Sequence, residues 1–181
     1  MKDTCAMTKT VPLTLTIALS GLLAMPGHAT TLQVKLEIPT LNVAEYHRPY
    51  VAVYVEDANG KAAANLAVWY QHQDNREGHG SKWLPDLRQW WRKSGRTLDL
   101  PVDGVTGPTH PAGVHTLELA ANAPQLAGLK PGSYTLVVEA VREVGGRELV
   151  KVPFTWPATA AQAASGQGSS ELGAISLVVK P

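Results

Sequence analysis

Residues 129–156 read LKPGSYTLVVEAVREVGGRELVKVPFTW, and this stretch decides the fold. Tyr134 follows a Lys-Pro-Gly-Ser turn and opens a run of apolar, β-branched residues. That has the form of a tyrosine corner, in which a tyrosine at the start of a strand hydrogen-bonds the backbone a few residues upstream. Gly145 and Gly146 then make a hairpin turn into 147–156. Two antiparallel strands of a Greek-key sandwich are the expectation.

The same grammar extends upstream. Residues 31–38 (TLQVKLEI) alternate Leu32, Val34, Leu36 and Ile38 with polar neighbours, the pattern of a half-buried strand, and Pro39 ends it. Residues 50–56 (YVAVYVE) are aromatic and β-branched, and Asp57, Ala58, Asn59 and Gly60 follow as a turn. A third strand is expected over 66–72, which with the first two would make a meander. Further on, 114–120 (VHTLELA) alternates again, and 171–180 (ELGAISLVVK) reads as the closing strand. Between them, 157–170 (PATAAQAASGQGSS) has no apolar residue larger than alanine and reads as a flexible low-complexity loop. The fold class is therefore all-β: an immunoglobulin-like antiparallel β-sandwich of seven or eight strands with one short tryptophan-rich helix.

That helix falls in 82–109, KWLPDLRQWWRKSGRTLDLPVDGVTGPT. Trp83, Leu87, Trp90 and Ser94 lie three or four apart, so a helix over about 84–94 carries an apolar stripe and packs over one end of the meander. Pro85 suits its first turn and Gly95 the position past its last. Five basic residues and one acid, Asp86, lie between positions 82 and 96. Such a surface suits an aromatic, anionic group. Trp83, Trp90 and Trp91 serve either as core cover or as a ligand platform, since adjacent tryptophans on a helix point about 100° apart. Arg88 and Arg92, four apart, either meet a phosphate or remain solvated.

The N-terminus carries Lys2 and Lys9, an apolar run over 11–25, and small residues Gly27 and Ala29 where a signal peptidase reads. Residues 1–29 are thus expected to be a secretory signal peptide and not a membrane span, leaving 30–181 as one β-sandwich domain of 152 residues in the periplasm. The single cysteine, Cys5, leaves with the signal, so no disulfide or thiol chemistry follows. The chain has 16 basic and 15 acidic residues, and losing Lys2, Lys9 and Asp3 leaves 14 of each. A neutral domain has no global field for nucleic acid.

Several blocks, NVAEYHRPYVAVYVED, WLPDLRQWWRKSGR, VDGVTGPT and PGSYTLVVEAVREVGGRELVKVPFTW, resemble the family of predicted periplasmic bacterial proteins catalogued as domain of unknown function 2271. The resemblance implies a periplasmic compartment. It also implies a context of membrane proteins with PepSY domains and of flavin transferases that attach FMN to periplasmic proteins. Proteins modified by such transferases carry a heptad of Asp, two variable residues, Ser or Thr, Gly, Ala, then Thr or Ser, whose last hydroxyl is esterified to the FMN phosphate. Here Asp103, Thr106, Gly107 and Thr109 match, and Pro108 stands where alanine is usual. A hydroxyl nucleophile needs a base and a thin loop that enters another enzyme's site, and Gly104 and Gly107 allow that approach. Asp-Gly and Gly-Pro are also ordinary turn dipeptides, so a plain loop accounts for the same residues.

Metal handling is another reading. His47, His72, His79, His110 and His115 are scattered, with Asp74 near His72 and Glu45 near His47, and no pair has structural-zinc spacing. No Gly-x-Ser-x-Gly elbow occurs, and no catalytic residue or metal ligand is assigned. The expectation is a non-enzymatic electron carrier: FMN on Thr109, Asp103 positioning the loop, Thr106 and Gly107 shaping it, Trp90 or Trp91 stacking the flavin, and Arg88 and Arg92 at the phosphate. Its partners would be a flavin transferase and a PepSY-type membrane protein. The competing expectation is a periplasmic binding or accessory module without a cofactor.

Overall fold

In the computed structural model, which describes residues 30–73 and 78–181, two sheets face one another. The signal-peptide expectation lies outside the described residues, as does Asp74. The strands are β1 (Thr31–Ile38), β2 (Tyr50–Glu56), β3 (Ala62–Trp69), β4 (Thr106–Gly107), β5 (Gly113–Ala120), β6 (Gly132–Val141), β7 (Arg147–Trp156), β8 (Gln162–Gln167) and β9 (Ala174–Lys180). One sheet runs β5-β1-β9-β8 and the other β4-β3-β2-β6-β7. The sandwich expected from the strand pattern is the fold.

The alternation of β1 does what period two demands. Leu32, Val34, Leu36 and Ile38 face inward and are almost fully buried, together with Ile175, Leu177 and Val179 of the neighbouring β9. Opposite them stand Val51, Val53 and Val55 of β2 and Leu136, Val138 and Ala140 of β6. The residues between those in β2 and β6 are buried as well, apolar except for Glu139, because the five-stranded sheet is covered on its outer face. There Ala52, Tyr54, Val68 and Val137 pack against Leu84, Leu87 and Trp90. The helical segment is thus a second, smaller hydrophobic layer.

Tyr134 forms the expected corner: its hydroxyl donates to Lys130 O at 2.8 Å and accepts from Lys130 N at 3.1 Å. The β6–β7 hairpin also turns at the expected place, with Gly145 N donating to Arg142 O and Arg142 N to Gly146 O.

Elsewhere the sequence reading needs correction. No β1-β2-β3 meander forms, since β1 pairs with β5 and β9 in the opposite sheet. The helical segment lies on the outer face of the sheet and not over an end. Strand β3 begins at Ala62, four residues before the expected start, because the weak strand formers Ala62 and Ala64 are recruited by pairing to β2, with a register shift at Ala63. The helix of 84–94 divides into a 3-10 segment, Gly80–Asp86, and α1, Arg88–Lys93, with Leu87 outside helical geometry between them. Residues 157–170 are not wholly loop, since β8 pairs along β9. Their small side chains are what permit it: a Cβ on Gly166 would come within 2.6 Å of Val150 Cγ1, so β8 closes against β7 where a larger residue would not fit. The last strand starts at Ala174, and Glu171 is instead drawn into an ion pair with Arg142.

Candidate functional site

A cavity of about 790 Å³ opens between the segment entering β2, the 3-10 segment and the β6–β7 hairpin. Tyr46, His47 and Arg48 line it from the first, Trp83 and Asp86 from the second, and Arg142, Glu143 and Arg147 from the third. Arg88, at the start of α1, and Thr109, two residues past β4, complete the wall. Its size falls within the range of about 300–1,000 Å³ typical of small-molecule sites.

The cavity's walls are held from behind. Glu139, on β6 and fully buried, accepts from Gln89 N at 3.0 Å, from Trp90 N at 2.7 Å and from Arg147 Nε at 2.7 Å. One carboxylate therefore holds the first turn of α1 and a cavity arginine to the sheet. Across the cavity, Tyr50 donates its hydroxyl hydrogen to Gly80 O at 3.2 Å, tying the 3-10 segment to the start of β2. His47 lies 2.9 Å from Glu45 Oε1 and 3.5 Å from Glu143 Oε2.

The heptad is more ordered than a pliable loop. Thr106 accepts from Val102 N through its hydroxyl at 2.8 Å, and Thr106 N bonds Val102 O at 2.9 Å, closing a tight turn around Gly104. Thr106 and Gly107 then run parallel to β3, where Tyr70 N bonds Gly107 O. Asp103 stays exposed on the turn, and Thr109 is half-buried on the cavity wall. Of the expected site residues, Thr109 and Arg88 are brought together at one cavity; Asp103, Thr106 and Gly107 shape the approach to Thr109 without lining it.

The tryptophan assignment is corrected. Trp90 is fully buried, and its indole N–H donates to Asn65 Oδ1 at 2.8 Å, so neither ring face is open to a ligand. Trp91 is partly buried against the same layer, with its ring 6.2 Å from that of Trp90. The exposed indole on the cavity is Trp83, at 44% exposure, with Lys82 Nζ 4.8 Å from its ring centre. Arg92 is likewise outside the cavity lining: its Nε donates to Arg88 O at 3.2 Å, a capping contact that turns it along the helix. Arg48 and His47, from the segment entering β2, lie on the same wall, and nothing in the local pattern marked Arg142 as buried.

The histidines scatter. His110 and His115 both meet Trp69 edge-on, with ring centres 4.1 Å and 5.7 Å from the indole. Burial, His115 and Arg48 together hold the His110 imidazole below its ordinary pKa. His72 packs on Tyr70, and His115 Nε2 lies 2.8 Å from Pro111 O. Among the described residues, no three of His, Cys, Asp or Glu are arranged to hold a metal ion.

The residues at this cavity fit a group such as FMN in kind: an indole for a planar ring, Arg48 and Arg88, which have no ion-pair partner among the described residues, for a phosphate, and a hydroxyl for an ester. The model of the family described as predicted periplasmic protein, domain of unknown function 2271, matches residues 31–174. The chain belongs to that family. As a member it is a periplasmic protein, and among its described residues no helix is long and apolar enough to cross a membrane. Neither the curated proteins nor the solved structures give a match.

Proposed function

We propose that this protein is a non-catalytic periplasmic electron carrier, with FMN esterified to Thr109 and a PepSY-type membrane protein as its redox partner. The observation that carries the reading is that Thr109 shares one cavity with Trp83 and Arg88. FMN supplies the redox chemistry; the protein anchors, orients and shields it. Thr109 Oγ1 is the point of attachment, Trp83 offers the ring a face, and Arg88 offers the phosphate a charge. The ester forms as the hydroxyl oxygen bonds phosphorus and the pyrophosphate bond of a flavin dinucleotide breaks. AMP leaves, and the hydroxyl proton passes to a base of the transferase or to water. Asp103 and the turn around Gly104 present the segment, and Thr106 and Gly107 hold its stem.

A second reading is a binding module that takes an anionic ligand without a covalent bond. It is favoured by the pairing of Gly107 to β3 together with Pro108, which leave little slack before Thr109. Expression in hosts with and without a flavin transferase, followed by intact-mass measurement, separates the two. The carrier gains the mass of an FMN ester only with the transferase, and Thr109→Ala abolishes it. The binding module gains none in either host.

A further inference from the structure

Strand β5 is an edge strand, and its inward row begins with a polar residue. His115 lies opposite buried Leu36 of β1 and precedes Leu117 and Leu119 on the same face, where the alternation calls for an apolar side chain. His110 arrives from the segment that follows β4, and the two imidazole centres are 4.7 Å apart with their planes tilted by 46°. Both rings rest against the buried Trp69, so the pair is held to the core. Both are only half-buried, which leaves them reachable from solvent.

Their hydrogen bonds leave lone pairs open. His115 Nε2 lies 2.8 Å from Pro111 O; a carbonyl only accepts, so Nε2 carries the hydrogen and Nδ1 of the neutral ring keeps its lone pair. A ring N–H fixed on a backbone carbonyl is the outer-shell contact that orients a metal-ligating histidine. No hydrogen bond or ion pair among the described residues engages His110, whereas His47 is committed to Glu45 and Glu143. Imidazole nitrogens hold a first-row cation at about 2.0–2.1 Å, so two rings bound side by side have centres roughly 4.5–5 Å apart. The observed separation falls in that range.

We infer that His110 and His115 form a two-imidazole seat for a divalent first-row transition cation, with water in the remaining positions. Imidazoles without a neighbouring thiolate or carboxylate suit copper(II), nickel(II) and zinc(II), and copper(II) binds such donors most tightly. Arg48 acts electrostatically on His110 and opposes a cation there, which weakens the seat. Neither histidine lines the Thr109 cavity, so the seat goes beyond the carrier reading and is independent of it.

The test uses protein expressed with its own leader, purified from the periplasm, stripped of metal with a chelator and titrated with copper(II) in a non-coordinating buffer near neutral pH. Binding is expected to saturate and to quench tryptophan emission, because Trp69 touches both rings. The paramagnetic resonance spectrum of the bound copper should show coupling to two imidazole nitrogens. His110→Phe and His115→Phe keep a ring against Trp69 and remove the nitrogens; each should weaken binding by about tenfold or more. Arg48→Gln should tighten it, and His47→Ala should leave it unchanged. If a phenylalanine variant does not fold, the spectrum of the parent and the other variant decide. No saturable binding, coupling to fewer than two imidazoles, or binding lost in His47→Ala and kept in the phenylalanine variants overturns the seat. Failure of the carrier reading would show separately, as a missing covalent adduct in a transferase-bearing host.

Discussion

The Glu139 carboxylate and the Trp90 backbone N–H, 49 residues apart in sequence, meet at 2.7 Å, and that bond fastens the helical layer to the sheet. The Trp90 ring fills the layer beneath it and bonds Asn65. Trp90→Ala should therefore destabilise the protein by about 3–5 kcal/mol, measured by chemical denaturation. Trp83→Ala, at a half-exposed position, should cost less than about 1 kcal/mol. Equal losses for the two would contradict the division of labour between them.

Acid should loosen the turn before β9. Burial acts to raise the Glu148 carboxyl, but hydrogen bonds from Leu172, Ser169 and Ser170 N–H and from the Ser169 hydroxyl outweigh it and hold the group at about 2, against an ordinary 4.5. The folded state thus binds fewer protons than the unfolded one between those values. The resulting stability is present above about 4.5 and is lost as pH falls toward 2. Glu56 acts in the same direction: burial opposes its ionisation, and hydrogen bonds from Lys93, Lys151 and Gln89 prevail. In denaturation curves taken across this range, Glu148→Gln should be less stable than the parent at neutral pH and should converge with it near the acid end. Parallel curves would contradict the assignment.

His110 should titrate below 6.5 in an NMR series, because burial, His115 and Arg48 all disfavour its charged form. The unfolded chain then binds the extra proton, so this residue's contribution to stability is full above 6.5 and declines as pH falls through that value toward the folded pKa. Arg48→Gln should move the midpoint upward. A His110 midpoint at or above 6.5 in the parent would refute the burial argument.

Tyr134→Phe removes only the hydroxyl that closes the corner on Lys130. A loss of about 1–2 kcal/mol is expected by denaturation, with the β6–β7 hairpin intact by circular dichroism. No loss would mean that the corner is ornamental in this protein.

What the sequence revealed follows from where burial is one-sided. The alternation in 31–38 is legible because one face of β1 meets the core and the other does not, and Tyr134 is legible because its partner lies only four residues away. The pairing of β1 with β9 joins residues more than a hundred apart, and no local pattern encodes it. Strand β8 was hidden for another reason: QAASGQ has neither bulk nor β-branching, and its strand conformation comes from the space available beside β7. Motif and charge singled out Thr109 and Arg88, and both line the cavity. Trp90 was misassigned because helical spacing does not say which of two adjacent indoles faces the sheet. Arg142 was missed because its role arises from Glu171, 29 residues away.

The carrier account stands most directly on a peptide-level mass measurement of the protein from a host whose flavin transferase is shown to modify a second substrate. The account predicts FMN phosphate on the peptide containing Thr109, at that residue, and none in Thr109→Ala. An unmodified Thr109 peptide from that host would contradict it.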